Sequence, residues 1–169
     1  RRAQALSGRV RRESALNTVC LAGGLTSGGP GSPAAVRRVL ALGDEDTVGT
    51  GKHDLHLLAG SVGVRKRGRN DTIDDVLTAP DATRLLDWLR HRPLAQRATM
   101  QGRDILMVHE GVLPMVSAAC TMRHAAEPEA ALREDTWRGT LANLVGSETR
   151  READAVDGNE CLRGRGKAR

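Results

Sequence analysis

The order of short apolar runs, glycine-containing loops and helical patterns constrains the fold of this chain more than any other feature. The run Ala15–Ala22 (A-L-N-T-V-C-L-A) ends in a glycine-rich stretch, and a helical pattern follows it. The weaker run Thr47–Thr50 leads through a turn into a helical pattern near Leu55, and Asp104–Val108 (D-I-L-M-V) has the strongest strand pattern. Strands that alternate with helices in this way are typical of α/β folds, so we predict an α/β fold.

Capping residues indicate where the helices begin and how the chain divides. Ser32-Pro33 predicts an N-cap and a first-turn proline for a helix that ends near Gly43. A polar helical pattern begins at Ala118, whereas the residues after Glu148 are charged and interrupted by glycine. We therefore expect one domain over residues 1–148 and a frayed tail over residues 149–169.

The composition limits both the core and the partners. The chain has no Phe and no Tyr, so its core must be built mainly from Leu, Val and Ala, and we expect low stability. The net charge is +5, but no aromatic residue interleaves the basic clusters as in single-strand nucleic-acid binders. No apolar run approaches the ~18 residues of a membrane span. We expect neither a nucleic acid nor a membrane as partner, and we expect a cytoplasmic location.

Polar or glycine-containing segments follow each predicted strand. These segments are Gly24–Gly29, Lys52–Asp54 and His109–Gly111. In α/β folds ligands bind at the carboxyl ends of the strands, so we expect the three segments to converge.

His53 and Asp54 are the candidate catalytic residues. A carboxylate beside a histidine can orient the imidazole and raise its pKa, which suits a general acid for the leaving group of a phosphate ester. The alternative is an exposed histidine beside an aspartate that begins a helix. The basic loop that follows contains candidate contacts to an anionic substrate, or else it is a solvated loop: Arg65, Lys66, Arg67 and Arg69.

A series of motifs carries a resemblance to a known enzyme family. They are T-S-G-G-P-G-S at 26–32, G-K-H-D-L-H-L-L-A at 51–59, G-V-R-K at 63–66, L-L-D-W-L-R-H-R-P-L at 85–94 and I-L-M-V-H-E-G-V-L-P at 105–114. In order and spacing this chain resembles the symmetrical diadenosine tetraphosphatases, which are metallophosphoesterases of the phosphoprotein-phosphatase type. The resemblance extends from about residue 15 to about residue 146.

The resemblance implies an α/β metallophosphoesterase sandwich and a two-metal site that activates water and neutralises phosphate oxygens. It implies a divalent cofactor, manganese or cobalt, and hydrolysis of diadenosine tetraphosphate, a dinucleoside polyphosphate, to two ADP molecules. The family's first metal motif and final histidine have no counterpart here, so we expect an incomplete sandwich.

The family pattern is also altered inside the matched segments. Gly24 stands where the family has a metal-bridging Asp, Gly28 where it has a phosphate-clamping Arg, and Lys52 where it has an Asn ligand. His109 matches a metal ligand, and Glu110 beside it would point to the opposite face of the strand. One imidazole cannot hold a pair of hard cations, so we expect a weakened or inactive enzyme, a pseudoenzyme in which the metal pair is not retained.

Two alternatives remain open. The chain could be a non-catalytic binding or scaffold protein that reuses the fold, with a protein partner that covers exposed sheet edges. It could also be a decayed or altered gene product, which would agree with the glycines at positions 24 and 28 and with the absence of Phe and Tyr.

Overall fold

The computed structural model describes residues 19–26, 31–43, 47–64 and 73–146. The chain begins with strand β1 (Cys20–Leu21), helix α1 (Ser32–Leu40), strand β2 (Thr47–Val48) and helix α2 (Lys52–Ser61). It continues with the remaining elements in this order: α3 (Asp74–Leu77), α4 (Ala82–Arg90), β3 (Ala95–Met100), β4 (Arg103–Val108), α5 (Ala118–Arg133) and α6 (Trp137–Gly146). The prediction of a mixed α/β architecture is confirmed at this level.

Strands β1 and β2 form a short parallel pair, with α1 in the connection between them. Cys20 lies beside Thr47 and Leu21 beside Val48. The pairing continues beyond the strand, because the amide of Gly49 donates to the carbonyl of Leu21 at 2.7 Å. Parallel strands end at the same edge of a sheet, so the loops after β1 and β2 leave the sheet side by side.

Strands β3 and β4 form a separate antiparallel hairpin. Gln101 and Gly102 connect them with φ angles of 52° and 73°, the left-handed values that a two-residue type I′ turn requires. The predicted strand Asp104–Val108 is confirmed as β4, but we had not predicted its partner β3. The hairpin is attached to the parallel pair by the side-chain amide of Gln96, which donates to Leu21 O at 3.3 Å.

The core is aliphatic, as the composition predicts. Its fully buried large side chains come mainly from helices α1 to α6 and include Val36, Leu57, Leu58, Ile73, Val76, Leu85, Leu89, Leu132 and Leu141. Trp137 is the aromatic member of this cluster, and Trp88 packs against its edge.

Helix α1 begins differently from the prediction. Gly31, with φ of 97°, is the N-cap, and Ser32 is the buried first residue of the helix, so the assignment of Ser32 as N-cap is wrong. The guanidinium of Arg37 on this helix donates two hydrogen bonds to the Asp81 carboxylate before α4, one of them from Nε at 2.8 Å. These hydrogen bonds, with a smaller contribution from the opposite charge, lower the pKa of Asp81 and raise the pKa of Arg37.

The tail at 149–169 lies outside the described residues, so the predicted domain boundary stays a prediction. Within the described part of the chain, no helix combines the length and the apolar character needed to cross a membrane.

Candidate functional site

The carboxylate of Asp54 fastens the loop after β1 to the start of α2. Its Oδ2 accepts from the amides of Gly24 at 2.8 Å and Gly51 at 2.9 Å. Its Oδ1 accepts from the Thr26 amide at 3.0 Å and from the Thr26 hydroxyl at 2.9 Å. The side chain is fully buried, so these four donors replace water around the carboxylate.

Glycines allow the loops after β1 and β2 to touch. Gly23 has φ of 106°, and a Cβ atom there would lie 2.4 Å from the Gly51 amide nitrogen. Only glycine fits without displacing backbone, because a left-handed φ and this close approach coincide at one position.

The His109 ring, directly after β4, packs against the same loops. A Cβ atom on Gly24 would lie 3.0 Å from His109 Cε1, and a Cβ atom on Gly51 would lie 2.7 Å from His109 Nδ1. Gly24 contacts the His109 ring and donates to Asp54, so the predicted convergence of the three segments is confirmed for Gly24, Asp54 and His109. The ring lies against Gly24, the position at which the resemblance implies a metal-bridging carboxylate.

His53 is exposed in the first turn of α2, next to Asp54 in the chain. No hydrogen bond between described residues joins the His53 ring to Asp54, whose two oxygens accept from the loop donors instead. The expectation that Asp54 orients the imidazole is therefore wrong for this conformation. The catalytic assignment of His53 and Asp54 stays a prediction, with Asp54 acting at least as a structural clamp.

Arg65, Lys66, Arg67 and Arg69 lie outside the described residues, as does Gly28. Their binding role stays a prediction.

A cavity of about 580 Å³ lies beside these loops, between the end of β4 and helices α2, α5 and α6. Most of its wall is apolar, and its polar side chains are Thr50, Lys52, His56, His109, Glu110, Thr121 and His124. We had not singled out His56 or His124 from the sequence. His56 stands in the H-D-L-H-L-L block and could have been noticed there, whereas nothing in the pattern of α5 distinguishes His124.

The described residues do not fit a pair of divalent cations. They contain no group of three or more His, Cys, Asp and Glu side chains that could hold a metal ion. Hard cations need several oxygen ligands, but both Asp54 oxygens already accept hydrogen bonds from the loops. Lys52 adds a positive charge on the cavity wall. The role of His109 as a metal ligand stays a prediction.

Sequence comparison relates the chain to curated bacterial proteins, although no family model matches it. It is 42% identical over 147 residues to the symmetrical bis(5'-nucleosyl)-tetraphosphatase of Acidovorax ebreus (strain TPSY), covering 87% of the chain and 52% of that protein. It is 46% identical over 142 residues to the protein of the same name from Bordetella pertussis, covering 84% and 50%. The chain thus spans about half the length of the curated relatives it matches.

Proposed function

Because the chain belongs by sequence to the symmetrical bis(5'-nucleosyl)-tetraphosphatases, of which it spans about half the length, we propose that it is a weakened or inactive member of that family. Its proposed ligands are dinucleoside polyphosphates, the class of compound to which the relatives' name, bis(5'-nucleosyl)-tetraphosphatase, refers. Its architecture is an incomplete metallophosphoesterase-type α/β sandwich, of which β1 and β2 with α1 and α2 form the part nearest the site.

The proposal rests on the state of the loop that would carry the metal-bridging carboxylate. Gly24 has no side chain, and a Cβ atom there would lie only 3.0 Å from Cε1 of the His109 ring. Asp54 keeps its place but accepts four hydrogen bonds from the loops, three from backbone amides and one from the Thr26 hydroxyl. The scaffold of the site is therefore kept, while the bridging carboxylate is missing at Gly24 and the Asp54 carboxylate is engaged by the loops.

The positive charge of Lys52 also disfavours the binding of a metal pair. Lys52 lines the cavity beside His109 and Gly51, and it stands where the family pattern has an amide ligand. An ammonium group repels a divalent cation, but it can pair with a phosphate oxygen. We infer that manganese or cobalt is held weakly and not as a pair.

A non-catalytic binding or scaffold role is the second candidate. Within the described residues β3 and β4 pair only with each other, so each has an open edge. The segment after β4 exposes Leu113 by 58% and Met115 by 59% of their surfaces. Open edges and exposed apolar side chains are features that a protein partner can cover. A cytoplasmic location remains part of this proposal.

Hydrolysis of diadenosine tetraphosphate with manganese or cobalt tests the main proposal. The purified chain and the Bordetella pertussis relative would be assayed side by side by quantifying ADP, with calorimetric titration of the substrate in parallel. We expect turnover by the relative and near-background turnover by the chain. Binding without turnover would support an inactive member, whereas a rate comparable to that of the relative would contradict the proposal.

A further inference from the structure

The cavity beside the site has the size and wall chemistry of a small-molecule site. Its volume of about 580 Å³ is within the range of pockets that enclose compact organic ligands. Its apolar wall is contributed by several elements, with Leu55 on α2, Leu94 before β3, Val108 at the end of β4 and Ala125 on α5. Such a wall can pack against the apolar or aromatic body of a ligand, but it offers few polar contacts to an isolated ion.

The charged side chains on the cavity wall indicate where a charged group of a ligand would bind. Lys52 and Glu110 are the formally charged side chains that line the cavity. No salt bridge between described residues includes Lys52, so its ammonium is available to an anion. The imidazole of His109 also lines the wall and can donate a hydrogen bond. Because Glu110 would repel an anion, we assign the anionic end of the ligand to the part of the cavity that Lys52 lines.

We propose that this cavity binds, without any divalent cation, a small molecule that joins one phosphate group to an aromatic body. The phosphate lies at Lys52 and the aromatic body lies against the apolar wall around Ala125. The inference rests on the proposed function for the phosphate-recognising role of Lys52, but it requires neither hydrolysis nor metal binding, so a failure of either would leave the binding measured below unaffected. A nucleoside monophosphate and a simple aryl phosphate share this chemistry.

Calorimetric titration in the presence of EDTA tests the proposal on the purified chain. The probes are adenosine 5'-monophosphate, phenyl phosphate, phenol and inorganic phosphate. We expect saturable binding of adenosine 5'-monophosphate, phenyl phosphate or both. Phenol and inorganic phosphate should bind more weakly, because phenol lacks the phosphate group and inorganic phosphate lacks the aromatic body. Stronger binding of the nucleotide would identify the base as part of the recognised body, and equal binding would identify any aryl group. No saturable binding of either, or equal binding of inorganic phosphate, would overturn the proposal.

Three variants locate the binding. Lys52→Gln should weaken binding about tenfold, because a hydrogen bond to a charged group is lost. Ala125→Leu should weaken it by filling the apolar end, and a retained thermal unfolding transition would show that this variant still folds. Glu110→Gln should tighten binding, because it removes the opposing charge.

Arg103→Gln is the matched control, because it removes one positive charge at an exposed position away from the cavity. It should leave the affinity unchanged. Equal losses in Lys52→Gln and Arg103→Gln would show a general charge effect and contradict the site. Weaker binding by Glu110→Gln together with tighter binding by Lys52→Gln would show that the cavity takes a cation.

Discussion

Replacing Asp54 by Asn tests whether this carboxylate fastens the loop after β1 to α2. The amide of Asn has one oxygen, which can face either the Gly24 and Gly51 amides or the two donors of Thr26, but not both pairs. Its nitrogen would then face two donors in a fully buried place. Two hydrogen bonds to a charged acceptor are lost, each worth ~1.5–3 kcal/mol, so we expect the free energy of unfolding to fall by about 3–6 kcal/mol.

Equilibrium denaturation in urea measures this loss. Asp75→Asn is the matched control, since Asp75 is exposed at the start of α3, and it should change the free energy by less than about 0.5 kcal/mol. Thr26→Val removes only the hydroxyl donor to the charged acceptor and should cost about 1.5–3 kcal/mol. In the Asp54→Asn background that cost should change, because the two groups share a hydrogen bond. An Asp54→Asn variant as stable as the control, or strictly additive effects, would refute the clamp.

Further variants test the loop geometry and the surface ion pair. Gly23→Ala should lower the free energy of unfolding by about 2–4 kcal/mol, because φ is 106° and the new Cβ would lie 2.4 Å from the Gly51 nitrogen. Gly43→Ala, where φ is 90° but no atom of the described residues lies within 4 Å of the new Cβ, should cost only about 1 kcal/mol by the same denaturation assay, and equal costs would contradict the close approach. Asp81→Asn should destabilise the protein at neutral pH, and the difference from wild type should vanish in acid. The Arg37 hydrogen bonds lower the pKa of Asp81 in the folded state, so their stabilisation is present above the unfolded pKa and is lost as the pH falls through the folded pKa. A gap between the two stability curves that persists in acid would contradict this assignment.

The elements that the sequence predicts well are those with strong local signals. Asp104–Val108 is an apolar run bounded by polar residues, and it forms the greater part of β4. Strand β3, A-Q-R-A-T-M over Ala95–Met100, has only Thr99 as a β-branched residue and lacks clean alternation. Its strand conformation depends on pairing with β4 through the turn at Gln101 and Gly102, which is a non-local effect.

The location of the site was more predictable than the role of each side chain. The prediction that the segments after the strands converge placed Gly24 near His109 correctly, because it depends only on the topology of the fold. The pairing of Asp54 with His53 was wrong because adjacency in the chain says nothing about which donors reach a buried carboxylate. The two glycines after β1 were a usable signal, since they allow backbone amides to approach a common acceptor. Gly31 likewise took the N-cap position that local chemistry assigned to Ser32.

Restoring the family's residues would show whether their loss explains a loss of metal binding. The variant carries Gly24→Asp, Gly28→Arg and Lys52→Asn together. Asp tolerates a left-handed φ such as the 76° at Gly24, but the His109 ring, 3.0 Å from the new Cβ, must move by a few tenths of an ångström. We expect measurably higher metal affinity with hydrolysis still near background, because a catalytic constellation acts as a unit. An unchanged affinity would show that these positions do not form one site.

Metal stoichiometry of the unmodified chain tests the central claim most directly. Equilibrium dialysis against manganese and cobalt, followed by elemental analysis, would count bound ions per chain, with the triple variant measured in the same series. The account predicts less than stoichiometric binding by the unmodified chain and a rise in the variant. Two tightly bound ions per unmodified chain, about 3.5–4 Å apart in a metal-soaked crystal, would contradict it.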